Sequence, residues 1–230
     1  MKLVLIGGGE IGKGNTNYET KAIDQEIIKI TNKENPIFLF IGFASSYSDS
    51  YYDVIKKIYQ ELGCKTTYLK KKNIINNREL SLKKIEEADI IYIGGGDTLK
   101  LLETTEEYNL KEIIDKQVKN NKVIVGISAG AIILSKSGYS DSYILRGEDT
   151  KYRFIKGYNY FKYSICPHYN NEEKKKELNK DIKNNKVYCL EDNTALIIED
   201  DKLRIIKSNN NSKVYLIDNN TIKEIKSWKT

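Results

Sequence analysis

Histidine is nearly absent from this chain: one residue, His168, in 230. Cysteine is also scarce, at three, and proline occurs twice. The cysteines, Cys64, Cys166 and Cys189, are odd in number, widely spaced and set beside apolar sequence. That pattern argues against a disulfide framework or a zinc site and leaves them as reduced core residues. No Pro/Ser/Gly-rich linker interrupts residues 1–230, which read as a single domain long enough to bury a substantial core. Long hydrophobic runs are missing too. The opening "MKLVLIGGGE" is apolar for only a few positions, short of a signal-peptide core or a membrane span. The expectation is a cytoplasmic protein with no membrane partner. The formal charge of +6 comes from lysines scattered among asparagine, as in "KKKNIINN" and "KDIKNNK", with acidic residues interspersed. No RNA- or DNA-binding signature accompanies it, so nucleic acid is not the expected partner.

What is present is ordinary globular composition, 40% hydrophobic and 30% charged, which argues against long disordered regions. "KLVLIG", "PIFLFIGFA", "ADIIYIGGG" and "KVIVGIS" are short apolar runs rich in Val, Ile and Phe, and they read as buried strands. Between them, Tyr51 to Leu62, Ser81 to Ala88 and "NLKEIIDKQVKNN" carry apolar residues at helical spacing. Strands apolar on both faces and alternating with helices indicate a parallel sheet covered on both sides. The expected fold class is therefore α/β, doubly wound and mostly parallel. Further on come "YSICPHY", a charged helix "NEEKKKELNKDIKNN" and "KVYCLED". "ALIIEDDKLRIIKS" and "SKVYLIDNNTIKEIKS" then read as antiparallel hairpins extending an edge of the same domain.

Chemistry in an open parallel sheet gathers at the carboxyl ends of the strands, and three strands here end in glycine turns. The first, "LIGGGEIG", matches G-x-G-x-x-G at Gly7, Gly9 and Gly12, with Glu26 downstream as a ribose partner. A dinucleotide site needs a helix that starts at those glycines, however, and "GKGNTNYET" follows instead. A tight turn is the better reading. The third, "VGISAGA", is G-x-S-x-G at Gly126, Ser128 and Gly130, after a strand and before a helical run, the context of a nucleophile elbow. Its small neighbours leave room for a strained serine, and the helix start offers N–H groups to a developing oxyanion. The competing role for Ser128 is a plain helix cap.

A serine hydroxyl needs a base, and His168 lies 40 residues downstream at the end of an apolar strand expected to pair near the elbow's strand. Its neighbours Pro167 and Asn170 favour a turn at the sheet's carboxyl edge. A carboxylate should then orient the imidazole. Asp141, Glu148, Asp149 and Glu191 are candidates by position, and spacing does not choose among them.

With these pieces assembled, the chain resembles the dipeptidase E and cyanophycinase family of serine peptidases. The likeness is carried by "YIGGGDTLKLL", "GISAGAI", "GYSDSY" and "CPHYN", with "LEDNTALII" in support. The resemblance implies a flavodoxin-like fold similar to class I glutamine amidotransferases, with serine at the nucleophile position. It implies Ser128 as nucleophile, His168 as base and, from "YSDSY", Asp141 as the acid. The backbone amides of Gly96 and Ala129 would form the oxyanion hole. Asp97 stands where the family more often has asparagine. Neither a metal nor an organic cofactor is implied. Relatives that cleave after aspartate suggest an acidic short-peptide substrate, with Arg146 and Arg153, in the loop between serine and histidine, as candidate carboxylate clamps. The apolar hairpins near the C-terminus are candidates for a homodimer surface.

Two other readings share some of these features. An α/β-hydrolase esterase has the same motif and residue order, but the short interval from Ser128 to His168 leaves little room for that fold. A non-catalytic metabolite-binding domain would keep Ser128 only as a cap.

Overall fold

The computed structural model describes residues 1–12, 16–182, 186–219 and 221–226. In chain order the first half runs β1 (Lys2–Ile6), α1 (Lys21–Thr31), β2 (Ile37–Ile41), α2 (Ser48–Glu61), β3 (Lys65–Leu69), α3 (Lys71–Asn76), α4 (Arg78–Glu87), β4 (Ile90–Ile93), α5 (Thr98–Glu107), α6 (Lys111–Lys119) and β5 (Val123–Ile127). The second half runs α7 (Ala129–Leu134), β6 (Ser135–Ser140), α8 (Ser142–Leu145), β7 (Arg153–Lys156), β8 (Phe161–Pro167), α9 (Glu172–Asp181), β9 (Val187–Leu190), β10 (Thr194–Glu199), β11 (Lys202–Lys207), β12 (Val214–Asp218) and β13 (Thr221–Glu224). The last residues of the expected charged helix, 183–185, lie outside the described residues, as do residues 220 and 227 of the last expected hairpin. Among the described residues no helix is long and apolar enough to cross a membrane.

The fold is α/β. Its seven-stranded sheet has the order β11-β10-β1-β5-β4-β2-β3. Strands β1, β5, β4, β2 and β3 are parallel, and the hairpin β10–β11 is added antiparallel at the β1 edge. Alternation along β1 sends Leu3 and Leu5 to one face and Val4 and Ile6 to the other, so each face has its own core. Val4, Ile6, Phe38, Phe40 and Tyr92 pack with Ile23 and Ile27 of α1 and Ile55 of α2. Leu3 and Leu5 pack with Ile132 and Ile133 of α7 and with Phe161, Ile165 and Leu190 of a second sheet.

That second sheet was not expected. It has six strands in the order β13-β12-β9-β8-β6-β7, with β6, β8 and β9 parallel. The last hairpin, β12–β13, is antiparallel as expected and forms one edge of this sheet. One expectation is corrected: strand β8, which leads into His168, pairs with β6 and β9 and not beside β5. Periodicity marks a strand as buried on both faces but does not say which sheet buries it.

One buried charge shapes the first core. Asp24 on α1 is 2% exposed and accepts hydrogen bonds from Tyr18 (3.0 Å), Thr20 (2.7 Å) and Tyr59 (2.7 Å). Burial outweighs these donors and pushes its carboxyl up to about 6. A raised carboxyl binds its proton more tightly in the folded chain, so its stabilising contribution is full below about pH 4 and is lost as pH rises through 6. The displacement corresponds to something on the order of 3 kcal/mol. Thermal unfolding of Asp24→Asn between pH 4 and 7 is expected to lack this slope, and an unchanged slope would assign the pH dependence elsewhere.

Candidate active site

The turn after β5 is built by contact with its neighbours. Gly130 packs so closely on β4 that a Cβ there would overlap the Ile93 carbonyl oxygen. The Ser128 N–H donates to Ile6 O at 3.0 Å, tying the turn to β1. Held in this way, Ser128 adopts φ 52° and ψ −112°, a conformation that costs a non-glycine residue on the order of 1–3 kcal/mol. Its side chain makes no capping bond to α7. The hydroxyl oxygen instead lies at hydrogen-bond distance from His168 Nε2, 2.7 Å away. A plain cap would turn its oxygen toward the helix N–H groups, and this one faces away from them.

His168 reaches Ser128 from the other sheet. Pro167 ends β8 in register with Leu190, and the next residues turn: Tyr169 N–H donates to Leu190 O at 3.2 Å and Asn171 N–H to His168 O at 3.2 Å. Tyr169 is fully buried and donates its hydroxyl to Asn179 Oδ1 at 3.0 Å, which anchors the turn beneath α9. His168 itself sits at φ 144°, again outside the ordinary region for a side-chain-bearing residue.

The ring's Nδ1–H donates to Asp192 Oδ1 at 2.7 Å. The carboxylate expected there was Asp141, with Glu148, Asp149 or Glu191 as substitutes; the structure brings up none of the four. Asp141 stands just before α8 without a side-chain capping bond and lines the same hollow as His168, but makes no hydrogen bond to the ring among the described residues. Asp149 bonds Arg153, and Glu148 is exposed. Glu191 points the other way, its Oε2 accepting from Lys213 N–H at 2.7 Å beside β12. Successive side chains leaving a strand face opposite sides, so the residue after Glu191 is the one that turns toward β1. "LEDN" carried this signal, but one position off.

Asp192 is held in turn by Asn170, whose Nδ2 donates to Oδ2 at 2.9 Å while its Oδ1 accepts from the Asp192 backbone N–H at 3.2 Å. Burial alone would raise the Asp192 carboxyl. The hydrogen bond and charge of His168, the Asn170 bond and the charge of Lys174 together hold it below the usual range. It is therefore ionised at neutral pH.

The first glycine turn, read as a tight turn in preference to a nucleotide loop, forms the floor of this pair. A Cβ on Gly8 would overlap both Asp192 Oδ1 and the His168 ring, and Gly8 O accepts from Asn193 N–H at 2.9 Å. The helix that follows begins only at Lys21. Among the described residues, no helix starts at these glycines as a nucleotide loop requires.

Gly96 and Ala129, the expected oxyanion donors, follow β4 and β5, which are neighbours in the sheet. Neither backbone N–H donates to a protein acceptor among the described residues, and Gly96 is exposed. Arg146 does not stand free as a carboxylate clamp. It donates to Asp97 Oδ2 at 2.7 Å and bidentately to Glu103 at 2.8 and 2.9 Å. Asp97 also caps α5, accepting from Leu99 and Lys100 N–H. Arg146 thus braces the loop that carries Gly96. Arg153 is likewise paired, with Asp149 at 2.6 and 2.8 Å.

The cation that faces the site was missed from sequence because lysine is so common here. Lys174, on α9, is 4% exposed and lines a hollow of about 410 Å3 with Asp141, Tyr152, His168, Asn170, Asn171 and Asp192. Its Nζ lies 5.3 Å from the centre of the Tyr152 ring, and no carboxylate among the described residues pairs with it within 4.0 Å. Cys166 and Cys189 are free, buried and opposite one another on β8 and β9. Among the described residues, no group of three His, Cys, Asp or Glu is arranged to hold a metal ion.

The model of peptidase family S51 matches residues 3–206, nearly the whole chain. This protein belongs to that family. It is a serine-type peptidase. An uncharacterized peptidase, YgaJ, of Bacillus subtilis is 30% identical over 206 residues, covering 88% of this chain and 85% of its own. Peptidase E of Shewanella denitrificans is 29% identical over 160 residues, covering 69% and 63%. Two solved structures share the fold at 21% identity. A peptidase from an acI-B1 Actinobacterium has a TM-score of 0.74, covering 98% of this chain and 94% of its own. A putative peptidase E of Listeria monocytogenes has a TM-score of 0.66, covering 90% and 98%.

Proposed function

We propose that this peptidase hydrolyses short peptides, dipeptides above all, that begin with an acidic residue, through an acyl-enzyme on Ser128. The observation that carries the reading is the unbroken row Asp192–His168–Ser128, with 2.7 Å at each link. Ser128 Oγ attacks the scissile carbonyl carbon as its proton passes to His168 Nε2. The charge that develops on the carbonyl oxygen meets the N–H groups of Gly96 and Ala129. His168 then gives the proton to the departing amine as the C–N bond breaks. Water, deprotonated by the same imidazole, attacks the ester, and the proton returns to Ser128 Oγ as the acid leaves. Asp192 keeps Nδ1 protonated throughout, so that Nε2 is the nitrogen free to accept.

Substrate choice rests on the hollow beside His168. With both arginines engaged, Lys174 is the cation left to meet a substrate carboxylate, and Asp141 offers the opposite charge to a free α-amino group. Opposite charges lining one small hollow suit an N-terminal acidic residue. A fluorophosphonate should label the protein at Ser128. Aspartyl dipeptides should be cleaved at least about tenfold faster than alanyl ones, and Lys174→Met, which keeps the apolar stem, should erase that preference. Labelling mapped elsewhere would remove the mechanism; equal rates on the two dipeptides would remove the acidic substrate.

A further inference from the structure

The carboxyl edge of the main sheet holds a second hollow, this one positively charged, on the far side of Ser128 from His168. Along this edge the strand order places Asp192 after β9 and before β10, Gly8 after β1, Ser128 after β5 and Gly96 after β4. Beyond Gly96, at the ends of β2 and β3, lies a hollow of about 390 Å3 lined by Ser45, Ser46, Ser48, Lys70, Lys71, Lys72 and Lys100, with Tyr68 and Asp49. It is tied to the loop that carries Gly96, since Asp97 N–H donates to Ala44 O at 3.0 Å and Lys100 Nζ to Ser46 Oγ at 3.1 Å.

Its charge is unbalanced. Asp49 is the only carboxylate in the lining and pairs with Lys70 at 2.9 Å. Lys71, Lys72 and Lys100 have no carboxylate within 4.0 Å among the described residues. The three serine hydroxyls and the start of the 14-residue helix α2, which no side chain caps, add donors on the same wall. Three ammonium groups without a directly paired carboxylate, around a hollow with this many hydroxyl donors, suit a multiply charged anion.

Geometry says how far that anion is from the reacting bond. Strands in a sheet lie about 4.8 Å apart, so the hollow, between the second and third strand from β5, is roughly 12 Å from Ser128. An extended peptide advances about 3.4 Å per residue and covers that distance in three to four residues. A dipeptide cannot reach it.

We propose that this hollow binds a side-chain carboxylate of an extended acidic peptide, three to four residues from the bond cleaved at Ser128. The proposal rests on the peptidase reading of Ser128 and widens its substrate class from dipeptides to longer acidic peptides.

The test uses the full chain carrying Ser128→Ala, which keeps the hollow intact, and aspartate homopeptides of two to six residues as probes. Binding read by calorimetry should tighten by about tenfold or more once the peptide reaches four or five residues. The triple substitution Lys71→Gln, Lys72→Gln, Lys100→Gln should return the long peptides to the affinity of the short ones. In the chain with Ser128 restored, the same triple variant should raise KM for the five-residue peptide and leave dipeptide turnover within about twofold. Affinity independent of length, tight binding of inorganic phosphate without any length effect, or long-peptide affinity untouched by the triple substitution would each overturn the proposal. Length-dependent, lysine-dependent binding in a chain that cleaves nothing would support the hollow and count against the Ser128 mechanism alone.

Discussion

Replacing Ser128 by alanine should lower peptide hydrolysis by about 10,000-fold or more while leaving the fold intact, and His168→Ala should do the same. The two losses should be nearly equal and should not multiply in the double variant. In the proposed mechanism each removes one end of a single proton-transfer unit, in which the Ser128 hydroxyl and His168 Nε2 are 2.7 Å apart. The chain holds one histidine, so no second imidazole stands ready to substitute. Neither change should unfold the protein. Ser128 is half-buried and alanine keeps its Cβ, and the His168 side chain is 39% exposed. Equal melting temperatures beside lost turnover are the expected pair of measurements. Retention of more than a few per cent of activity in either variant would dismiss the acyl-enzyme mechanism.

The second large effect should come from Asp192→Asn, a change of a single atom type. Asn170 determines its outcome. The Asn170 Oδ1 accepts from the backbone N–H of residue 192, so its Nδ2 must face the side chain there and needs an acceptor. An asparagine at 192 would satisfy it by turning its amide oxygen toward Asn170, which leaves its NH2 toward His168. The imidazole would then have to accept at Nδ1 and carry its proton on Nε2, the wrong tautomer to take a proton from Ser128. A fall in kcat of about 1,000- to 10,000-fold with little change in KM is expected. Asp141→Asn is the control that separates the two carboxylates. It should raise KM for dipeptides with a free amino group and leave kcat nearly unchanged. The reverse pattern, with kcat collapsing at Asp141 and not at Asp192, would return the acid to the position that the family resemblance implied.

Both predictions depend on contacts between residues far apart in the chain. Gly8, Ser128, His168 and Asp192 come from four separate strand ends, two from each of the two sheets. Gly8 looked like part of a weak nucleotide fingerprint because its motif was judged by local spacing. Its role comes from the His168–Asp192 pair, which a Cβ at that position would push away. By charge and loop position the arginines read as carboxylate clamps. Their partners, Asp97 and Glu103 for Arg146 and Asp149 for Arg153, take them out of that role. Nothing in the charged sequence around Lys174 marks which lysine of α9 turns inward.

The sequence by itself determined the α/β class, the central parallel strands and Ser128 and the lone histidine as the two residues to look for together. Each of those is encoded locally, in alternation, in apolar runs ending at glycine, or in the presence of a single candidate. Tertiary structure alone decided that a second sheet carries His168 to Ser128, that Asp192 and not Asp141 meets the ring, and which cations are left unpaired. These outcomes depend on which side chains face one another across the space between two sheets. Periodicity along the chain gives the direction of a side chain relative to its own strand, but carries no information about what lies opposite.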